Sequence, residues 1–135
     1  MYYLDTCICI EFLRGRLQLG YQVMRNAMPN DFQLPSIVVA ELFYGAAHSA
    51  NPKKNRKTIE AFISAFTVAP FDTACASQYG DIRQALSEQG NLIGDRDIMI
   101  AATALANNAT LVTNNVNEFK RVPGLRIESW AETTG

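Results

Sequence analysis

Asp95-Arg-Asp-Ile-Met-Ile-Ala-Ala-Thr-Ala-Leu-Ala-Asn-Asn-Ala-Thr-Leu-Val-Thr-Asn-Asn115 decides the fold of this chain. Ile98, Ala101, Ala102 and Leu105 recur at the spacing of one helical face, which predicts a helix from Asp95 to Asn107. The short apolar run Ala109–Thr113 that follows reads as a buried strand, and Asn114 and Asn115 directly follow its end. A helix feeding a short, fully apolar strand is one unit of a parallel sheet.

The same rhythm extends in both directions. Towards the amino end, Asp72 caps a long helix to Gln89, and Gly90–Gly94 forms a loop. Val68-Ala69 is a weak strand, and Asn51-Pro52 opens a helix reaching about Phe66. Phe32-Gln33-Leu34 is a candidate strand, followed by Pro35-Ser36 as strand exit and N-cap of a helix from Ile37 to His48. Pro29-Asn30-Asp31 is a turn, and Leu17–Met28 carries the spacing of an amphipathic helix. Cys7–Leu13 is a helix stopped near Gly15, and Tyr2-Tyr3-Leu4 is a short strand before Asp5-Thr6. Beyond the quoted stretch lie a loop with a short helix over Asn114–Lys120 and a last strand over Leu125–Glu128. Strands alternating with helices predict an α/β fold, a small parallel sheet covered on both faces, in a single domain over residues 1–135.

Composition narrows the class. The chain is 48% hydrophobic and 19% charged, a globular balance. Its longest apolar runs fall short of the roughly 20 residues a bilayer requires. Met1 leads straight into the first strand without a basic segment, so no signal peptide is expected, and three cysteines argue for a reducing cytoplasm rather than a disulfide framework. Cys7, Cys9 and Cys75 read as small buried apolar residues, since no second cysteine pair completes a zinc site. Twelve basic against thirteen acidic residues leave a net charge of −1, too little positive charge to grip nucleic acid unaided.

The acidic residues gather at one kind of position. Asp5 follows the first strand, and Glu41 lies on the second turn of the helix after the second strand. Asp97 sits in the first turn of the Asp95–Asn107 helix, and Asn114 and Asn115 directly follow the fourth strand, with Glu118 a turn later. In a doubly wound sheet that edge is where ligands bind. Two carboxylates about 5 Å apart at an effective dielectric near 20 repel by roughly 3 kcal/mol, so convergence calls for protons or cations. Magnesium and manganese accept such oxygens and leave room for a phosphate. For Asp97 and Asp95 a helix-terminal cap is the competing explanation; Glu41 is sharper, because it interrupts the apolar stretch Ile37–Ala40 and Leu42–Tyr44. On these residues alone an acidic metal site is plausible, and the reaction is unnamed.

The residues also resemble a known family, the PIN-domain ribonuclease toxins of VapBC toxin–antitoxin systems. The resemblance is carried by Tyr3-Leu4-Asp5-Thr6, by Pro35-Ser36 running to Ala40–Gly45, and by Gly94 through Asp97–Ala102. It continues in Leu111–Asn115, Glu118-Phe119, Arg121–Leu125 and Trp130, collinear from residue 2 to residue 130. It implies a three-layer α/β/α PIN fold and a magnesium- or manganese-dependent endoribonuclease cutting transfer or ribosomal RNA loops. Asp5, Glu41 and Asp97 match the family's metal-binding acids; Asn115 and Glu118 both qualify for a further catalytic group, and Asp95 ranks behind them as a supporting group or cap. Thr6 and Thr113 match small hydroxyl positions able to support the ligands. It also implies a VapB-like antitoxin as partner, a homodimer, and a toxin–antitoxin hetero-oligomer, with no membrane. One departure stands out: the family usually has Asn or Ser where this chain has Cys7, a poorer hydrogen-bond partner, so support of Asp5 is expected to weaken or be rerouted.

Three further features belong to this reading. Lys53-Lys54-Asn55-Arg56-Lys57 is the one basic cluster, either a solvated helix start or a phosphate-contacting patch, and Arg14, Arg16 and Arg96 are similar candidates. Phe12, Tyr21, Phe43 and Tyr44 resemble faces used for dimerisation and for the antitoxin, and serve equally well as core. His48 is the only histidine and lies outside the matched motifs, which excludes a paired-histidine ribonuclease mechanism. The alternatives are a PIN-type DNA nuclease and a PIN-like binding module without chemistry. A receiver-type signalling domain fails because paired acids after the first strand and a lysine after the last are missing.

Overall fold

A computed structural model describes residues 1–15 and 31–130. The helix expected over Leu17–Met28 lies outside the described residues, as do Arg16 and Tyr21. Among the described residues five strands form one parallel sheet: β1 (Tyr2–Leu4), β2 (Phe32–Pro35), β3 (Thr67–Ala69), β4 (Thr110–Val112) and β5 (Ile127–Glu128), in the order β3-β2-β1-β4-β5. The described helices are α1 (Thr6–Leu13), α2 (Ser36–Ala47), α3 (Pro52–Ile63), α4 (Thr73–Glu88), α5 (Asp95–Ala106) and α6 (Val116–Phe119).

The order fixes the layers. The chain moves outward from β1 through β2 to β3, then returns to β4 and β5 on the other side of β1. Right-handed crossovers place helices on opposite faces when the direction of travel reverses, so α1–α3 cover one face and α4–α6 the other. The reversal lies between β1 and β4, paired as Tyr3↔Leu111 and Leu4↔Val112. Tyr3, Leu4, Leu34, Leu111 and Val112 are buried in the sheet, with Ile8 and Val38 from one layer and Leu86, Ile98 and Ile100 from the other. Phe32 stacks on Tyr2 at 5.2 Å and meets Trp130 edge-on at 5.5 Å, which ties the last described residue to the sheet.

The elements expected within the described residues are present, and the differences have local causes. The strand expected over Leu125–Glu128 pairs only at Ile127 and Glu128, because Gly124 (φ +79°) and a Leu125 N–H to Val122 carbonyl bond spend the preceding residues on a turn. Asn108, at φ +53°, delays β4 to Thr110. Ser36 is not the N-cap of α2. Pro35 holds that position, without a side-chain bond, and the Ser36 hydroxyl accepts the Phe71 N–H at 3.2 Å, joining α2 to the exit of β3. Asp72 caps α4 as expected, accepting the Cys75 N–H at 3.1 Å.

Candidate active site

Asp5 leaves β1 and caps α1 in the same residue. Its Oδ1 accepts the Thr6 N–H at 2.8 Å, and its Oδ2 accepts the Thr113 hydroxyl at 2.7 Å and the Cys7 thiol at 3.3 Å. The side chain is only 5% exposed, so these donors replace the water it has lost. Thr113 leaves β4 in register with Asp5, and its Oγ1 in turn accepts the Asn115 N–H at 2.9 Å. Support of Asp5 is therefore shared between the expected Thr113 hydroxyl and the thiol of Cys7. Cys7 is half-buried and polar in its contacts, which corrects its reading as a merely apolar residue; Cys9 and Cys75 are buried as expected. Burial, and then the Asp5 charge, push the Cys7 thiol up, so it serves as a neutral donor.

Asp97 sits in the first turn of α5, just past its N-cap Gly94. Burial, a hydrogen bond with Glu118, and the charges of Asp5, Glu118 and Glu41 raise its pKa from 3.8 to about 7. Glu118 comes from α6, and its hydrogen bond and its charge are among the causes of that rise. Glu41 projects from α2; burial raises its pKa, Arg96 lowers it, and the charge of Asp5 raises it again. Asp5, Thr6, Cys7, Ile10, Glu41, Asp97, Asn114 and Asn115 line one cleft of about 490 Å³ at the carboxyl ends of β1 and β4. The sheet reversal thus brings Asp5, Glu41 and Asp97 together with Asn114 and Asn115, while Glu118 stands beside Asp97 and outside the cleft lining; Cys7 and Ile10 join the cleft.

Asp95 is held elsewhere. Its Oδ1 accepts the Tyr79 hydroxyl at 3.0 Å and pairs with Arg83 at 3.4 Å, on the outer side of α4. Although it borders a second, smaller depression with Glu41 and Asp97, its carboxylate is committed to α4.

The donor set suits a hard divalent cation. It consists of carboxylate, amide and hydroxyl oxygens, and two of them, Glu41 Oε1 and Thr6 Oγ1, are buried without a hydrogen-bond partner among the described residues. Among those residues no three His, Cys, Asp or Glu side chains close around a point that would hold an ion. The acids ring the cleft instead, as mutual repulsion requires of carboxylates without a counter-charge. Burial first, and then that repulsion, raise the pKa of Asp97, because a proton supplies part of the missing charge.

Comparison with known proteins agrees with this geometry. The PIN domain family model matches residues 2–125. Ribonuclease VapC2 of Rickettsia felis is 39% identical over 131 residues, covering 96% of this chain and 98% of the relative. The tRNA(fMet)-specific endonuclease VapC of Shigella flexneri is 38% identical over 128 residues, covering 95% and 96%. The crystal structure of DNA-bound VapBC from Salmonella typhimurium superposes with a TM-score of 0.91 at 36% identity, covering 96% of this chain and 98% of its counterpart.

Proposed function

The chain belongs to the PIN-domain family of VapC ribonucleases, and from that premise we propose that it is the endoribonuclease toxin of a toxin–antitoxin pair, using magnesium or manganese held by Asp5, Glu41 and Asp97. The observation that carries this reading is the single cleft in which all three acids meet beside Asn115, with Glu118 behind Asp97. Its working unit spans residues 1–135. By its likeness to the VapC ribonucleases we assign the protein to the cytoplasm. No helix among the described residues is long and apolar enough to cross a membrane.

Each residue then has a task. Asp5, fixed by three donors, is the rigid carboxylate of the set. Glu41 Oε1, buried and unpartnered among the described residues, is the acceptor whose burial a cation would offset. Bound there, a divalent cation supplies a water of lowered pKa and neutralises charge on the phosphodiester. Asp97 would hold a cation through its charged carboxylate, and Glu118 of α6 lies beside it. The Asn115 side chain borders the cleft as a neutral donor able to reach a phosphate oxygen without adding to the repulsion.

Relatives named as tRNA(fMet)-specific endonucleases make initiator transfer RNA the first substrate to try, beside total RNA. The partner we assign is a VapB-like antitoxin, in a hetero-oligomer built on a toxin homodimer; the solved structures of similar chains are VapBC complexes. The test uses antitoxin-free protein with manganese or magnesium, beside Asp97→Asn and an EDTA control. Discrete fragments from the wild type alone, abolished by EDTA, are expected. Folded protein that leaves both RNAs intact and does not arrest growth would move the assignment to a binding module.

A further inference from the structure

Glu41, Tyr44 and His48 recur at i, i+3 and i+7, so one face of α2 runs from the acidic cleft out to the end of the helix. At the rise of an α-helix, Tyr44 stands about 4.5 Å and His48 about 10 Å further along the axis than Glu41. Tyr44 is 62% exposed, and its ring stacks on that of His48 with centroids 5.7 Å apart and planes 15° from parallel. An aromatic ring so exposed contributes little to the core, and its neighbour in the stack, His48, is exposed as well. Immediately past this face, α3 begins with Pro52, Lys53 and Lys54, and Lys57 follows one turn on; all three lysines are exposed, and none forms an ion pair among the described residues. Arg56 differs, being paired with Glu60 at 2.9 Å and laid over the Phe43 ring at 4.6 Å.

We propose that Tyr44, braced by His48, is a stacking platform for an unpaired RNA base beside the cleavage site, with Lys53, Lys54 and Lys57 drawing in the backbone that leads away from it. The proposal rests on the reading of the acidic cleft as a ribonuclease site and adds the means by which a chain of net charge −1 holds its substrate. An aromatic face beside unpaired lysines is the combination that binds single strands: stacking is indifferent to charge, and the lysines release counterions from the phosphates. A flat base offers the same face whatever its identity, so the platform requires an unpaired nucleotide without choosing its sequence.

The experiment separates binding from cleavage. Tyr44→Ala, Tyr44→Trp and Lys53→Glu/Lys54→Glu are each compared with the parent protein for KM and kcat on a loop-bearing RNA. In the Asp97→Asn background the same changes are compared for affinity towards a short fluorescent single-stranded RNA. Tyr44→Ala is expected to raise KM and weaken the oligonucleotide about tenfold, with a smaller effect on kcat, and Trp at that position restores the affinity. The lysine pair is expected to weaken binding and reduce its dependence on salt. Unchanged affinity in Tyr44→Ala would overturn the platform, and so would a loss of affinity accompanied by a change in oligomeric mass by sedimentation, which would make Tyr44 a protein interface. Wild-type protein that binds the oligonucleotide through Tyr44 but cuts no RNA would refute the ribonuclease reading and leave the platform standing.

Discussion

Asp5 shows how much a single carboxylate can be asked to do. As a helix cap it needs one oxygen for the Thr6 N–H; as a site acid it needs the other held in place, and Thr113 and Cys7 do this from two directions. Thr113 is wholly buried and also receives the Asn115 N–H, so one hydroxyl aligns the ends of β1 and β4. Replacing it with valine keeps the shape and removes the donor. Thr113→Val should therefore cost about 1.5–3 kcal/mol of stability in a urea titration, the range for a hydrogen bond to a charged group, while Thr113→Ser stays near the parent. Cys7→Ala should cost less, because a thiol is a weak donor. Equal losses at the two positions would mean that the hydroxyl has no special hold on Asp5.

At the scale of elements, α5 carries the site and is also packed most tightly. Ile98, Ile100, Ala101, Ala102, Thr103 and Ala104 are all fully buried, against α4 on one side and the sheet on the other. Small side chains at 101, 102 and 104 let α4 approach, with Leu86 and Ile82 filling the space between. Ala102→Leu should destabilise the protein by about 1–3 kcal/mol through overpacking, read as a lowered denaturation midpoint. Because Asp97 rides on the first turn of that helix, the same change should lower RNA cleavage even where the protein remains folded. A stable Ala102→Leu variant with parental cleavage would show that α5 tolerates displacement without moving its acid.

Across the whole molecule, the site is a store of electrostatic tension that pH releases. The folded pKa of Asp97 is about 7 against 3.8 for a free carboxyl, so the folded state holds its proton more tightly than the unfolded chain does. The sign follows from linkage: stability is greatest while Asp97 is neutral and is lost as pH rises towards and through about 7. Glu41, also raised by burial, acts in the same direction. In EDTA the melting temperature should therefore decline between about pH 5 and about pH 7.5, and Asp97→Asn should flatten that decline. Manganese should raise the melting temperature more at the alkaline end than at the acid end, since binding there displaces no proton. Parallel melting curves for the two proteins at every pH would mean that Asp97 carries no such burden.

What the residues determined by themselves was the order of elements and the chemistry at their ends. Apolar periods of two kinds, punctuated by Pro35, Asp72, Gly94 and Asn108, mark strands and helices because burial and backbone hydrogen bonding act over a few neighbouring residues. The acids were legible for the same reason: each follows a strand or opens a helix, and a charge inside an apolar stretch such as Glu41 has to be accounted for. The tertiary structure decided which of them meet. Asp95 and Asp97 are two residues apart, yet α4 supplies Tyr79 and Arg83 to hold the first, while the second meets Glu118. Cys7 was legible as a poorer partner beside Asp5, but not that its thiol shares Oδ2 with Thr113. The engagement of Ser36 by the Phe71 N–H was not readable, because residues 35 positions apart meet there only once the fold is formed. The hold of Thr113 on Asp5 likewise depends on β4 lying beside β1, a pairing of residues more than a hundred positions apart. Local spacing encodes what each residue can do; the sheet reversal, which costs chain entropy and is repaid only by long-range burial, decides with whom it does it.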